Sequence, residues 1–112
     1  MATDPLDQLR VVLCTFPDWD QARQIGAALV EAQVAACVNL LPGAESIYRW
    51  EGKVETAQEV VAIIKTANYP ALEAMLLEKH PYEVPEILAL EVSGGLPAYL
   101  EWAAAATSTS RS

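Results

Sequence analysis

SIYRWEGK, residues 46–53, predicts the turn of a β-hairpin and the strand that leads into it. Apolar and polar side chains alternate from Ser46 to Trp50, as in a strand, and Glu51-Gly52 then predicts a tight hairpin turn, because glycine accepts a positive φ. Lys53–Thr66 forms the returning arm. Its half Val60–Ile64 is continuously apolar, which predicts burial on both faces. The sequence therefore predicts a long β-hairpin at the centre of the chain.

The segment before this hairpin predicts a strand, a helix and a second strand. Leu9–Phe16 is apolar and β-branched, and Asp18 can cap the helix that follows. In that helix, from Trp19 to Ala32, apolar residues recur every three or four positions, which indicates one buried stripe. Ala35–Leu41 again predicts a strand, interrupted by Pro42-Gly43 before the hairpin.

The segment after the hairpin predicts a helix from Asn68-Tyr69-Pro70, a strand over Pro85–Val92 and a helix over Leu96–Ala106. The resulting order, β-α-β-β-α-β-α, is the split β-α-β pattern of ferredoxin-like α+β folds. Each hairpin arm would extend roughly 45 Å, whereas a helix of about fifteen residues covers only about 22 Å. Part of the hairpin should therefore project uncovered, and exposed aromatic strands favour a partner.

Length and charge exclude several classes of protein. The 112 residues fit one domain, which we place at residues 9–106, between a flexible N-terminus (1–8) and a disordered tail (107–112). The formal net charge of −8 disfavours binding to nucleic acid or to anionic membranes. We see neither a signal peptide nor an apolar run of transmembrane length, so we expect a cytoplasmic protein whose Cys14 and Cys37 are free thiols.

HPYEVPE, residues 80–86, holds the only histidine of the chain. Pro85 pushes the preceding residue out of the helical region, so His80 and Tyr82 lie on a stiff connection from a helix into a strand. A lone imidazole can ligate a soft metal, or it can cap the C-terminus of a helix. Cys14 can be a thiolate ligand or a small buried apolar residue, and Cys37 fits the core.

Six segments of the chain closely resemble the CutA family, the divalent-cation-tolerance proteins. In family order they are Val12–Asp18, Ala35–Asn39, Ser46–Lys53, Ile64–Thr66, His80–Glu86 and Tyr99–Trp102. The resemblance implies a ferredoxin-like protomer and a tight homotrimer, similar in architecture to the P-II signalling proteins. It also implies a role in tolerance of copper and other divalent metals, with no established catalytic reaction.

The same resemblance implies two metal ligands. Carried over by position, the cysteine of the first strand is Cys14, and the histidine before Pro-Tyr is His80. Where some members have two adjacent histidines, this chain has Lys79-His80, so one imidazole is replaced by a cation. Any binding of copper or another divalent cation should therefore be weak and not essential.

Other residues are candidates for lining a cleft. Asn39 can organise a cleft or occupy a bulge, and Lys65 beside Glu83 and Glu86 can hold an anion or a metal, or form a salt bridge. Trp50 and Tyr82 can line a ligand pocket or serve as interface and core aromatics.

Three functions remain open on the sequence. The first is a non-enzymatic homotrimer that responds to divalent metals, with an unknown protein partner as a further possibility. The second is a P-II-like signalling trimer that binds a small ligand in clefts between subunits. The third is an enzyme that uses His80 at the cleft, although the sequence has no nucleotide-binding or hydrolase motif.

Overall fold

A computed structural model describes residues 8–107 of the protein. Most of the predicted flexible N-terminus (1–8) and tail (107–112), namely residues 1–7 and 108–112, lies outside these residues. The elements, in chain order, are β1 (Arg10–Phe16), α1 (Trp19–Glu31), β2 (Cys37–Trp50), β3 (Lys53–Thr66), α2 (Tyr69–Lys79), β4 (Ile87–Glu91) and α3 (Pro97–Ala106). The predicted order of elements is confirmed, with ends that differ by a few residues.

The four strands form one antiparallel sheet in the order β2-β3-β1-β4. Strands β1 and β2, joined through α1, therefore lie on either side of β3. This is the split β-α-β arrangement, and the ferredoxin-like prediction is confirmed.

The β2-β3 hairpin is the longest feature of the molecule. Glu51 and Gly52 both have positive φ, 50° and 82°, as a tight turn between twisted strands requires. Pro42-Gly43 does not end the strand as we predicted. Instead β2 runs through it with a bulge between Leu41 and Ala44, where Gly43 adopts φ 81°. The hairpin gives the protein its longest dimension of 49 Å.

Side-chain caps fix where the first two helices begin. The Asp18 carboxylate accepts a hydrogen bond from the backbone N–H of Gln21 at 2.8 Å, and the Asn68 amide oxygen accepts one from Ala71 at 3.4 Å. Each cap satisfies a donor that the first helical turn leaves free. Both helices pack on the same face of the sheet.

Alternate residues of the strands have different surroundings. One face packs against α1 and α2, and its residues Val12, Phe16, Ala62 and Ile64 have no exposed surface. We call the other side the open face; its apolar residues are Val11, Leu13, Leu41, Val61, Ile63, Leu88 and Leu90. Our expectation that Val60–Ile64 is buried on both faces is thus wrong for this single chain, because Val61 and Ile63 keep partial exposure.

A second, smaller apolar cluster holds α3 against one end of the sheet. Leu9, Ala36 and Ala103 form its buried centre. Thr107, which we assigned to the tail, is 1% exposed and accepts a hydrogen bond from the Ala67 backbone N–H at 3.0 Å. The packed unit therefore includes this residue.

Candidate functional site

His80 ends α2 and lies inside the protein. Its backbone N–H donates to the Leu76 carbonyl at 2.8 Å, and its extended backbone (φ −72°, ψ 137°) stops the helix before Pro81. The imidazole is 8% exposed and stacks on Phe16, with ring centroids 4.8 Å apart. The connection that follows α2 thus places the ring at the end of β1.

Both ring nitrogens of His80 are hydrogen-bonded. Nε2 lies 2.7 Å from the carbonyl oxygen of Thr15, which can only accept, so Nε2 carries the proton. Nδ1 lies 3.1 Å from the backbone N–H of Tyr82, which can only donate, so Nδ1 accepts. This pattern needs the neutral ring, and burial lowers the pKa of His80 below its ordinary value of 6.5. At neutral pH the ring joins β1 to the 80–86 segment as an uncharged group.

Cys14 lies on the helix-covered face of the same strand. It has no exposed surface, and its thiol is 3.8 Å from the Thr15 carbonyl that His80 also contacts. Burial, with a smaller contribution from the negative charge of Glu86, raises the pKa of Cys14 to about 12. The structure therefore brings the two predicted metal ligands to one carbonyl of the same chain, with the cysteine held as a thiol.

Tyr82 connects this region to the hairpin. Its hydroxyl donates to the Glu59 carboxylate at 2.7 Å, and burial together with this bond raises the pKa of Tyr82. Glu83 and Glu86 follow in the same segment and are exposed. Sequence reasoning missed Glu59, because no local pattern indicates that this β3 carboxylate meets a tyrosine 23 residues further on.

A second polar cluster lies at the opposite end of the sheet. On the open face, the Lys65 ammonium donates to the Asn39 amide oxygen and lies 3.9 Å from the Cys37 sulfur. The Cys37 sulfur is 3.6 Å from the same amide oxygen. The Tyr99 hydroxyl of α3 lies near it, and burial together with the Cys37 side chain raises the pKa of Tyr99. We call these four residues, Cys37, Asn39, Lys65 and Tyr99, the edge cluster.

The edge cluster corrects two of our predictions. Cys37 is half-buried among polar groups and is not a core residue. Lys65 stands opposite Val11, whereas Ile87, the residue after Glu86, stands opposite Cys14. Lys65 is therefore about 10 Å along the sheet from the 80–86 segment and does not lie beside Glu83 and Glu86. Asn39 is exposed and regularly paired with Ile63, away from the bulge.

Trp50 lies apart from both groups, next to the hairpin turn. It is 57% exposed, and Ile47, Tyr48 and Val54 of the same hairpin are also largely exposed. The expected projection of apolar hairpin side chains is confirmed.

Within residues 8–107, the structure holds no group of three or more His, Cys, Asp or Glu side chains that could bind a metal ion. In the same part of the chain, no helix is long and apolar enough to cross a membrane. A metal site built from Cys14 and His80 would thus need a further ligand from elsewhere.

The CutA1 divalent ion tolerance protein family matches residues 10–106, which include every strand and helix described above. The chain belongs to the CutA1 family. The divalent-cation tolerance protein CutA of Pectobacterium atrosepticum is 48% identical over 104 residues, covering 91% of this chain and 94% of that protein. The corresponding protein of Thermus thermophilus is 48% identical over 94 residues, covering 82% and 91%.

Solved CutA1 structures have the same fold. That of the Thermus thermophilus protein superimposes with a TM-score of 0.86 at 45% identity, covering 89% of this chain and 99% of the other. That of CutA1 from Oryza sativa gives 0.89 at 38% identity, covering 96% and 100%. The predicted family and fold are therefore confirmed.

Proposed function

We propose that this protein acts in tolerance to divalent metal ions, as a homotrimer without catalytic activity. The observation that carries the proposal is the family match over residues 10–106, together with relatives described as divalent-cation tolerance proteins. Copper is the metal we propose, because thiol and imidazole groups favour it over magnesium or calcium.

Weak binding follows from the surroundings of the two ligands. A metal at Cys14 must displace a proton from a thiol whose pKa is raised to about 12. A metal on the His80 ring must break the bond to the Thr15 carbonyl or the bond from Tyr82. Each step opposes binding, so we expect a dissociation constant of about 1 µM or weaker.

Calorimetric titration with Cu(I) and Cu(II) tests this site. Cys14→Ser and His80→Ala should each remove the copper binding that wild type shows, whereas Cys37→Ser, which changes the other thiol, should leave it intact. Equal copper binding by wild type, Cys14→Ser and His80→Ala would show that the acidic surface alone takes up the metal.

The open face supports the homotrimer. Leu88 and Leu90 are 55% and 50% exposed, and they lie beside Leu13 and Val11 in the register of the sheet. Isolated chains rarely expose an apolar surface that continues across several strands. Further copies of the chain supply a matching apolar surface, and the projecting hairpin adds Trp50 and its neighbours to the contact.

The two hydrogen bonds of the His80 ring support the absence of catalysis. A general acid or base must reach a substrate proton, yet this ring is buried and both nitrogens bond the backbone. An enzyme that uses His80 is therefore the least supported of the three functions we considered.

A cytoplasmic location remains part of the proposal. Cys14 and Cys37 are free, as expected for a reducing compartment. Relatives are described with other locations, chloroplastic in Oryza sativa and periplasmic in Archaeoglobus fulgidus. Cell fractionation with an antibody to the native protein tests the assignment.

The edge cluster favours a second function, ligand signalling in the manner of P-II proteins. Within the described residues, the hydrogen-bond partners of the Lys65 ammonium are the neutral Asn39 and Cys37 side chains. A cation that meets only neutral groups attracts an anionic ligand, and Tyr99 and Trp102 pack next to each other at its side. Native mass spectrometry of the purified protein should then show a bound metabolite that Lys65→Met loses.

A further inference from the structure

Cys37 and Lys65 form a cross-strand pair of a thiol and an amine. They are directly opposite in the register of β2 and β3, and their reactive atoms, Sγ and Nζ, lie 3.9 Å apart. Asn39 accepts a hydrogen bond from Nζ and lies 3.6 Å from Sγ, so its amide oxygen holds both groups on one side. The strand pairing thus keeps a nucleophilic sulfur and a nitrogen in van der Waals contact.

No second thiol of the described chain competes for the Cys37 sulfur. Cys14 is on β1, with β3 between it and β2, and its side chain faces the helices whereas Cys37 is on the open face. An intramolecular disulfide is therefore excluded by distance and direction. The amine nitrogen of Lys65, 3.9 Å away, is within reach of an oxidised Cys37 sulfur.

We propose that Cys37 and Lys65 are joined on oxidation by dioxygen through one oxygen atom, as an Nζ–O–Sγ bridge. The O–O bond breaks, and one oxygen forms bonds to nitrogen and sulfur while the other leaves as water. The ammonium loses two N–H hydrogens and the thiol loses one S–H hydrogen; water takes two of these and one proton goes to solvent. Nitrogen and sulfur each lose two electrons, which match the four that dioxygen accepts.

The bridge would change the open face in two ways. It replaces the Lys65 ammonium by an uncharged nitrogen, which removes the cation of the edge cluster. It also links β2 to β3 covalently at the end far from the hairpin turn, where Cys37 begins its strand and Lys65 almost ends its own. The modification does not depend on a role in metal tolerance.

Intact-mass analysis of the full chain tests the bridge. Protein kept in oxygen-saturated buffer should gain about 14 Da over an anaerobic sample, one oxygen added and two hydrogens lost, and dithiothreitol should reverse the gain. Trypsin should no longer cut after Lys65, and the peptide that contains Lys65 should be linked to the one that contains Cys37.

Matched variants separate the bridge from ordinary thiol oxidation. Cys37→Ser and Lys65→Arg should abolish the gain, and Lys65→Arg keeps the positive charge of the cluster. Cys14→Ser and Lys53→Arg, which change the other thiol and a lysine at the hairpin turn, should retain it. An unchanged mass would overturn the proposal. A gain of about 16 Da in wild type, equal to the gain in Lys65→Arg, would also overturn it, because one added oxygen without loss of hydrogen marks a simple sulfenic acid.

Discussion

The two faces of the sheet are built from alternate residues of the same strands, yet their surroundings differ. On β3, Ile64 has no exposed surface beneath the helices, while its neighbour Ile63 keeps partial exposure on the open face. Both faces carry apolar residues, but α1 and α2 cover only one. An antiparallel sheet that is apolar on both sides needs a covering layer on each side. Within the described residues, α1 and α2 form such a layer on one side, and the open face has none of comparable extent.

The largest effect should come from a charge on the open face. Leu88→Asp places a carboxylate in a contact that we expect to be dry, at a cost of several kcal/mol, so association should weaken roughly 100-fold or more. Leu77→Asp is the matched control, since Leu77 on α2 is exposed to the same extent, 56% against 55%. Sedimentation over a range of protein concentrations measures both. Equal dissociation of the two variants would show that the open face contributes no more to association than the outer surface of α2.

A smaller effect should distinguish neighbours on β3. Ile64→Ala leaves a cavity in the core and should lower the free energy of unfolding by about 2–5 kcal/mol. Ile63→Ala should cost the protomer less and act mainly on assembly. Urea unfolding at several protein concentrations separates the two contributions. If Ile63→Ala destabilises a dilute protomer as much as Ile64→Ala does, the open face is already covered within one chain.

The smallest effect concerns how the free energy of unfolding depends on pH through His80, which is buried next to the helix-covered face. Because the folded protein lowers the pKa of His80, the unfolded chain binds more protons below pH 6.5. The free energy of unfolding should thus be highest above pH 6.5 and fall as the pH drops toward the folded-state pKa. In His80→Gln, which keeps a donor for the Thr15 carbonyl, this His80 contribution should disappear. Guanidinium unfolding from pH 7.5 to 5 measures the slopes, and identical slopes would contradict the neutral buried ring.

The fold could be predicted because its signals are local. The Glu51-Gly52 turn, the caps Asp18 and Asn68 and the alternation of the strands each depend on residues a few positions apart. The Gly43 bulge was missed, because a Pro-Gly pair is typical of a turn as well as of a bulge. Alternation also does not tell which face of β3 the helices cover.

The candidate sites were less predictable, because they depend on contacts between distant segments. The His80 ring meets the Thr15 carbonyl across 65 residues, and Lys65 meets Asn39 across 26. Flanking alanine and valine made Cys37 look like a core residue, although its position opposite Lys65 sets its surroundings. Only the register of the sheet reveals that Cys14 and Cys37 face opposite sides.

We propose that the open face and the projecting hairpin are contacts between copies of this chain. Light scattering after gel filtration measures the mass in solution without any variant. We expect a mass of about 36 kDa, three times the 12.1 kDa of one chain, unchanged on dilution across the micromolar range. A mass of one chain at every concentration would contradict it.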